Sequence, residues 1–77
     1  MDDTRRAILR EALDLIRRAK LMVEGACDKE NDCIDNYPEN LQSTDVFEKM
    51  EIAADAMEDA VEKLSEAEES ITTAIQK

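Results

Sequence analysis

The side chains best suited to bind an anion are five arginines and a lysine in the first twenty residues. They are Arg5, Arg6, Arg10, Arg17, Arg18 and Lys20. A guanidinium group can donate two parallel hydrogen bonds to one phosphate, so clustered arginines can act as a phosphate clamp. We expect Arg6, Arg10 and Arg17 to bind such a ligand, with copies from adjacent protomers converging on it. The alternative is a solvated face that pairs with acidic residues of a neighbouring protomer.

The only tyrosine stands in a polar segment that could recognise a nucleobase. Tyr37 lies close in sequence to three side-chain amides, Asn36, Asn40 and Gln42, within the segment DNYPENLQSTD. An aromatic ring can stack on a base, and amides can bind base or ribose edges. We therefore add these four residues to the expected ligand site. The alternative role for Tyr37 is to close the end of a helical bundle.

The two cysteines and the nearby carboxylates predict neither a disulfide nor a metal site. Cys27 and Cys33 lie on different faces of a helix, about 9 Å apart along its axis. The chain has no histidine to complete a zinc site. Residues 28–39 carry oxygen donors at calcium-loop spacing, but Cys33 stands where that loop needs glycine and Pro38 falls inside it. We expect reduced thiols, no metal and no cofactor.

Residues able to carry out catalysis are scarce. The chain has no histidine, no glycine-rich phosphate loop, and no serine or cysteine beside an evident general base. Its carboxylates follow helical spacing and form a solvated face. We therefore expect a protein that is not an enzyme and has no catalytic residues.

Length and charge narrow the class of protein. A chain of 77 residues forms one domain, residues 1–77, with a small core, so self-association is expected. Residues 1–29 carry a charge of +1 and residues 30–77 a charge of −11, which argues against binding to duplex nucleic acid. Charges interrupt every apolar run, which argues against a signal peptide or membrane span and favours the cytoplasm.

Two apolar stripes run along the first half of the chain. One, the seam of the first helix, alternates bulky and small residues at spacings of four and three: Ile8, Ala12, Leu15, Ala19, Met22 and Ala26. The other is its flanking line: Leu9, Leu13, Ile16, Val23, Cys27 and Ile34. Asp2, Asp3 and Thr4 offer an N-cap, and Pro38 stops helical geometry. The pattern predicts a helix over about residues 4–35, with Gly25 as its weakest point.

The second half repeats this arrangement. Its seam keeps the four-three spacing throughout: Val46, Met50, Ala53, Met57, Ala60, Leu64, Ala67, Ile71 and Ala74. Its flanking line is broken at Glu68: Phe47, Ala54, Val61 and Ile75. Ser43, Thr44 and Asp45 offer N-caps, which predicts a helix over about 45–76.

Two helices of similar length joined by a corner at 36–44 must fold back on each other. We predict an all-α, antiparallel two-helix hairpin in which the two seams face each other, bulky side chains against alanines. The flanking lines would then meet further helices, so that hairpins assemble into a homo-oligomeric helical bundle.

The corner and the start of the second helix carry a recognisable pattern. The corner residues are Asp35, Asn36, Pro38, Glu39, Leu41 and Gln42, and Glu48, Met50, Glu51, Ala54 and Asp55 follow. They resemble a family of short helical-hairpin proteins common in phages and prophages of Gram-positive bacteria, whose corner reads D-N-L-P-E-x-L-Q-x-S. Tyr37, the cysteines and Met57 depart from it. The resemblance covers roughly residues 30–71 and implies a hairpin of phage origin. Phage anti-defence sponges for cyclic nucleotides are similar in size and architecture.

These expectations favour a phage anti-defence protein of the host cytoplasm that sequesters a small cyclic nucleotide immune signal between protomers. Two alternatives stay open. One is an acidic inhibitor that mimics nucleic acid by presenting residues 30–77 to a basic surface. The other is a small structural or assembly adaptor without a small-molecule ligand, which would bind a partner helix along Phe47, Ala54 and Val61.

Overall fold

Two long helices joined by a short corner make up the computed structural model, which describes residues 1–77. Helix α1 spans Asp3–Asp35, a single 3-10 turn spans Glu39–Leu41, and helix α2 spans Asp45–Gln76. The structure contains no strand. The prediction of an all-α helical hairpin is therefore confirmed. Neither helix contains a stretch long and apolar enough to cross a membrane.

The ends of both helices are capped by their own sequence. The Asp2 carboxylate accepts a hydrogen bond from the backbone N–H of Arg5 at 2.8 Å, and the Thr44 hydroxyl accepts one from Phe47 at 3.4 Å. These bonds satisfy donors that the first helical turn leaves without partners. Helix α1 continues without interruption through Gly25. The basic residues of α1 are therefore held in one rigid segment that ends at the corner.

The hairpin interface is centred on the flanking line of each helix, so the prediction that the two seams face each other is wrong for the bulky residues of the α1 seam. The four buried residues of the chain all belong to the flanking lines: Leu13, Cys27, Phe47 and Ala54. The bulky residues of the α1 seam remain largely exposed: Ile8 is 60%, Leu15 55% and Met22 76% exposed. Phe47 and Ala54 are thus unable to receive a further helix, because α1 already covers them, whereas Val61 is half-buried.

An aromatic contact at the corner accompanies the flanking-line interface. The ring of Tyr37 contacts the ring of Phe47, with 5.3 Å between their centroids. Phe47 lies in the first turn of α2, so this contact agrees with an interface in which the Phe47 line faces α1. Spacing along the sequence does not distinguish the two choices, since the seam and the flanking line recur with the same period.

Long-range hydrogen bonds fix how the helices are aligned. The Arg6 guanidinium donates to the carbonyl of Ile75 at 3.2 Å, and the Cys27 thiol donates to the carbonyl of Ala54 at 3.8 Å. In both pairs the residue numbers add up to 81, so this sum marks residues at the same level of the rod. The Cα atoms extend over 59 Å by 14 Å by 13 Å.

Both seams lie on the same side of the hairpin. In each helix a seam residue directly precedes a residue of the flanking line, as Leu15 precedes Ile16 and Ala53 precedes Ala54. One residue turns the helix by about 100°, so both seams are displaced from the interface in the same rotational sense. Because the helices are antiparallel, displacement in the same rotational direction places the two seams side by side. We call this side of the rod the apolar face.

Candidate functional site

The apolar face is an extended surface that no other part of the chain covers. The α1 seam occupies one half of it and the α2 seam the other, so it follows both helices for most of their length. Its α2 half is partly sheltered, because Met50, Met57, Leu64 and Ile71 are half-buried beside α1. Its α1 half is open. A soluble monomer seldom leaves an apolar surface of this extent uncovered unless the surface binds something.

Bulky and small residues form four columns across the apolar face. The outer column of α1 is bulky (Ile8, Leu15, Met22) and its inner column is small (Ala12, Ala19, Ala26). In α2 the order is reversed, because the inner column is bulky (Met50, Met57, Leu64, Ile71) and the outer column is mainly alanine (Ala53, Ala60, Ala67, Ala74). The face therefore alternates between ridges and furrows that run along the rod.

The opposite side of the hairpin is polar and partly neutralised within the chain. Glu68 interrupts the flanking line of α2, and its carboxylate oxygens lie 3.2 Å from Arg17 Nε and 4.0 Å from Lys20 Nζ. Arg6 contacts Asp3 at 3.6 Å in addition to the Ile75 carbonyl. Two of the three arginines assigned to the predicted ligand site are thus engaged inside their own hairpin, and Arg10 is exposed.

The predicted ligand residues fall into two groups that one chain does not bring together. Arg17 and Asn36 are nineteen residues apart along α1, about 28 Å along the helix axis. At the corner, Asn36 donates to the Asp32 carbonyl at 2.9 Å and Gln42 donates to the Tyr37 carbonyl at 3.4 Å. Asn40 is exposed, and Tyr37 packs on Phe47. A nucleotide site built from Arg6, Arg10, Arg17 and these corner residues stays a prediction that requires a second protomer.

A shallow groove on the polar side contains the buried thiol. Its volume is about 340 Å³, and it is lined by Glu24, Cys27, Asp28, Asn31, Glu58 and Val61. Burial raises the pKa of the Cys27 thiol, and the carboxylates of Glu58 and Asp28 raise it further. Cys33 is exposed, and no group of three histidine, cysteine or carboxylate side chains is arranged to hold a metal ion. The raised pKa keeps the Cys27 thiol protonated at neutral pH, and a protonated thiol is a poor nucleophile.

The role of Glu68 was not predicted, although the sequence contained its signal. An acidic residue that breaks an otherwise apolar line is costly at an interface unless a cation of the facing helix pairs with it. The prediction assigned ion pairs of this kind to a neighbouring protomer, whereas Arg17 and Lys20 reach Glu68 in their own chain.

Comparisons with protein-family models, with curated proteins and with solved structures found no match for this chain. The arrangement of its own residues therefore carries every functional inference that follows.

Proposed function

We propose that this chain is a small assembly module that acts by protein–protein contact through its apolar face. The observation that carries the proposal is the row of exposed bulky residues, Ile8, Leu15 and Met22, which recur every seven residues along one side of α1. Each such side chain contributes about 1.5–3 kcal/mol when it is fully removed from water. In an isolated hairpin these side chains stay in contact with water, so this stabilisation is gained only when a partner covers them.

The dimensions of the face suit a stable interface. Val46 and Ala74, the ends of the α2 seam, are 28 residues apart, about 42 Å along the helix axis. At the 14 Å width of the hairpin the face has an area on the order of 600 Å², at the lower end of the roughly 600–1,000 Å² that each partner contributes to an interface of standard size. A two-helix hairpin of 77 residues also gains stability by association, because it contains only four buried residues.

The first test compares two leucines of the same helix by analytical ultracentrifugation. Leu15 lies on the apolar face and is 55% exposed, whereas Leu21 is 68% exposed and lies at a groove on the polar side with Arg17 and Glu68. Leu15→Glu should weaken self-association by about a hundredfold or more, because each of two copies loses a buried leucine. Leu21→Glu should leave association unchanged. Equal behaviour of the two variants, or a wild-type chain that stays monomeric, would contradict the proposal.

A second candidate function is the acidic inhibitor, and the unpaired carboxylates of α2 favour it. Ten acidic residues lie in α2, and only Asp59 and Glu68 take part in ion pairs. Such a surface would bind a basic partner with affinity that falls steeply between low and high salt, whereas association through apolar contacts persists in high salt. Measuring the affinity for a polycation such as polylysine at low and high salt tests the acidic surface, and measuring self-association under the same conditions tests the apolar face.

Sequestration of a cyclic nucleotide has less support, since Arg6 and Arg17 contact partners in their own chain. Its test is incubation with a panel of cyclic and ADP-ribose-derived nucleotides, removal of free ligand, heat denaturation and mass spectrometry. We expect no stoichiometric release from the wild-type protein. Release that Arg10→Ala abolishes, with the oligomeric state unchanged, would instead establish the nucleotide site.

A further inference from the structure

We infer that the occupant of the apolar face is a second copy of this chain, related by a two-fold axis parallel to the helices, so that α1 of each copy lies on α2 of the other. This pairing rests on the proposed function and gives it a geometry. The product is a four-helix bundle of two hairpins. Three independent features of the face select it: the order of its columns, the level of its residues and the charge of its helices.

The order of the columns distinguishes two ways of placing one face on another. A two-fold axis parallel to the rod puts the outer column of α1 over the outer column of α2, and the inner over the inner. Because one helix has its bulky column outside and the other has it inside, every bulky column then meets a small one. A two-fold axis across the rod places α1 on α1, so bulky columns meet bulky columns and alanines face alanines. Only the first arrangement fills space evenly.

The levels of the residues agree with the first arrangement. Rotation about an axis parallel to the rod leaves every residue at its own level, so partners across the new interface must also add up to about 81. The bulky residues of α1 meet this condition: Ile8 falls opposite Ala74, Leu15 opposite Ala67 and Met22 opposite Ala60. Each of these pairs adds up to 82, a displacement of about 1.5 Å from the register inside the hairpin.

The bulky residues of α2 lie at the levels of the small column of α1, which they also adjoin inside their own hairpin. Met57 falls opposite Ala26, Leu64 opposite Ala19 and Ile71 opposite Ala12. These pairs add up to 83, about 3 Å from the internal register. Met50 falls opposite Cys33, which continues the alanine column by one heptad. No bulky residue of either seam lacks a small partner at its level, apart from Val46, the first seam residue of α2.

The charges of the helices favour the same pairing. Helix α2 carries ten acidic and two basic residues, a charge of −8, whereas α1 carries eight acidic and seven basic residues, a charge of −1. Placing α1 on the partner's α2 keeps the two strongly acidic helices on opposite corners of the bundle. The alternative places them side by side, where like charges repel.

An exchange of side chains tests the pairing directly. Met22→Ala and Ala60→Met should each weaken the dimer, the first by leaving a cavity and the second by overpacking. The double variant Met22→Ala with Ala60→Met should bind its own copy at least tenfold more tightly than Ala60→Met alone, because a bulky residue again faces a small one at that level. Met22 and Ala60 lie on opposite edges of one hairpin, so recovery cannot arise within a chain. The control is Met22→Ala with Ala53→Met, one heptad out of register, which should not recover.

A distance measurement supplies a readout that does not depend on affinity. The proposed axis brings both corners to the same end of the bundle. Nitroxide labels on Asn40→Cys, in a Cys33→Ser background, should be separated by less than about 30 Å, since the bundle is two helix diameters across. A two-fold axis across the rod would instead separate the labels by nearly the 59 Å length of the rod.

The outcomes separate this inference from the proposed function. A dimer that is sensitive to Leu15→Glu but shows the long distance, or no recovery in the exchange, overturns the pairing and leaves the assembly function standing. A stoichiometry above two also overturns the pairing. A wild-type chain that remains monomeric, with no difference between Leu15→Glu and Leu21→Glu, overturns both. Recovery together with the short distance supports both.

Discussion

Replacement of Gly25 by alanine should stabilise the protein. Gly25 lies inside α1, ten residues before the helix ends, and the position that an added Cβ would take has nothing within 4 Å. Its backbone is helical, so alanine can adopt the same conformation without strain. The substitution therefore removes the conformational entropy that glycine loses on folding and introduces no clash.

The expected gain is about 0.8–1 kcal/mol per chain, which is the difference between glycine and alanine in a helix interior. For a domain of this size it corresponds to a rise in Tm of roughly 4–8 °C. Urea unfolding followed by circular dichroism at a fixed protein concentration should show a higher midpoint with an unchanged m value, because the exposed surface does not change.

The matched control reverses the substitution at an exposed position of the other helix. Ala56 is exposed in the middle of α2, so Ala56→Gly should cost about what Gly25→Ala gains. A loss of stability in Gly25→Ala, with the expected loss in Ala56→Gly, would refute the reasoning. It would mean that α1 bends at Gly25 or that another chain approaches its Cα closely.

Three further predictions concern the hairpin interface. Ala54→Leu should destabilise by about 1–3 kcal/mol in thermal unfolding, because Ala54 is only 3% exposed, whereas Ala56→Leu should be nearly neutral. Ellman's reagent should modify the exposed Cys33 about tenfold or more faster than the buried Cys27. The free energy of unfolding should fall as pH rises above 9, since Cys27 keeps its thiol proton in the folded protein and releases it in the unfolded chain. A Cys27→Ala variant that retains the whole alkaline slope would contradict this pH dependence. Glu68→Gln should cost about 1 kcal/mol in urea unfolding at low salt and less at 1 M salt; equal losses would contradict a role for its ion pairs.

The helices could be read from the sequence because their signals are local. Apolar spacing, the caps at Asp2 and Thr44, and the break at Pro38 act within a few residues, and the structure places the helix ends where those signals lie. The choice of contact surface is not local. Each helix has two apolar stripes of equal period, and contacts between distant residues, such as that between Tyr37 and Phe47, are known only when the chain is folded.

The expected ligand site likewise combines local features, which the sequence reveals, with long-range contacts, which it does not. The types of side chain that bind phosphate could be recognised from residues such as Arg10 and Arg17, but their partners could not. Glu68 lies 51 residues from Arg17 in sequence, and only the alignment of the helices brings them together. A prediction that turns the wrong apolar stripe of α2 toward α1 therefore also predicts the wrong partners for these charged residues.

The alignment of the helices also determines the order in which the hairpin can form. Contacts near the corner join residues close in sequence, the contact between Cys27 and Ala54 closes 27 residues, and the contact between Arg6 and Ile75 closes 69. Chain closure costs more entropy as the loop lengthens, unless earlier contacts have already shortened it. Folding should therefore proceed like a zipper from the corner toward the open end, where both chain termini lie. In native-state hydrogen exchange, amides at the open end should exchange first and those around Phe47 and Ala54 last.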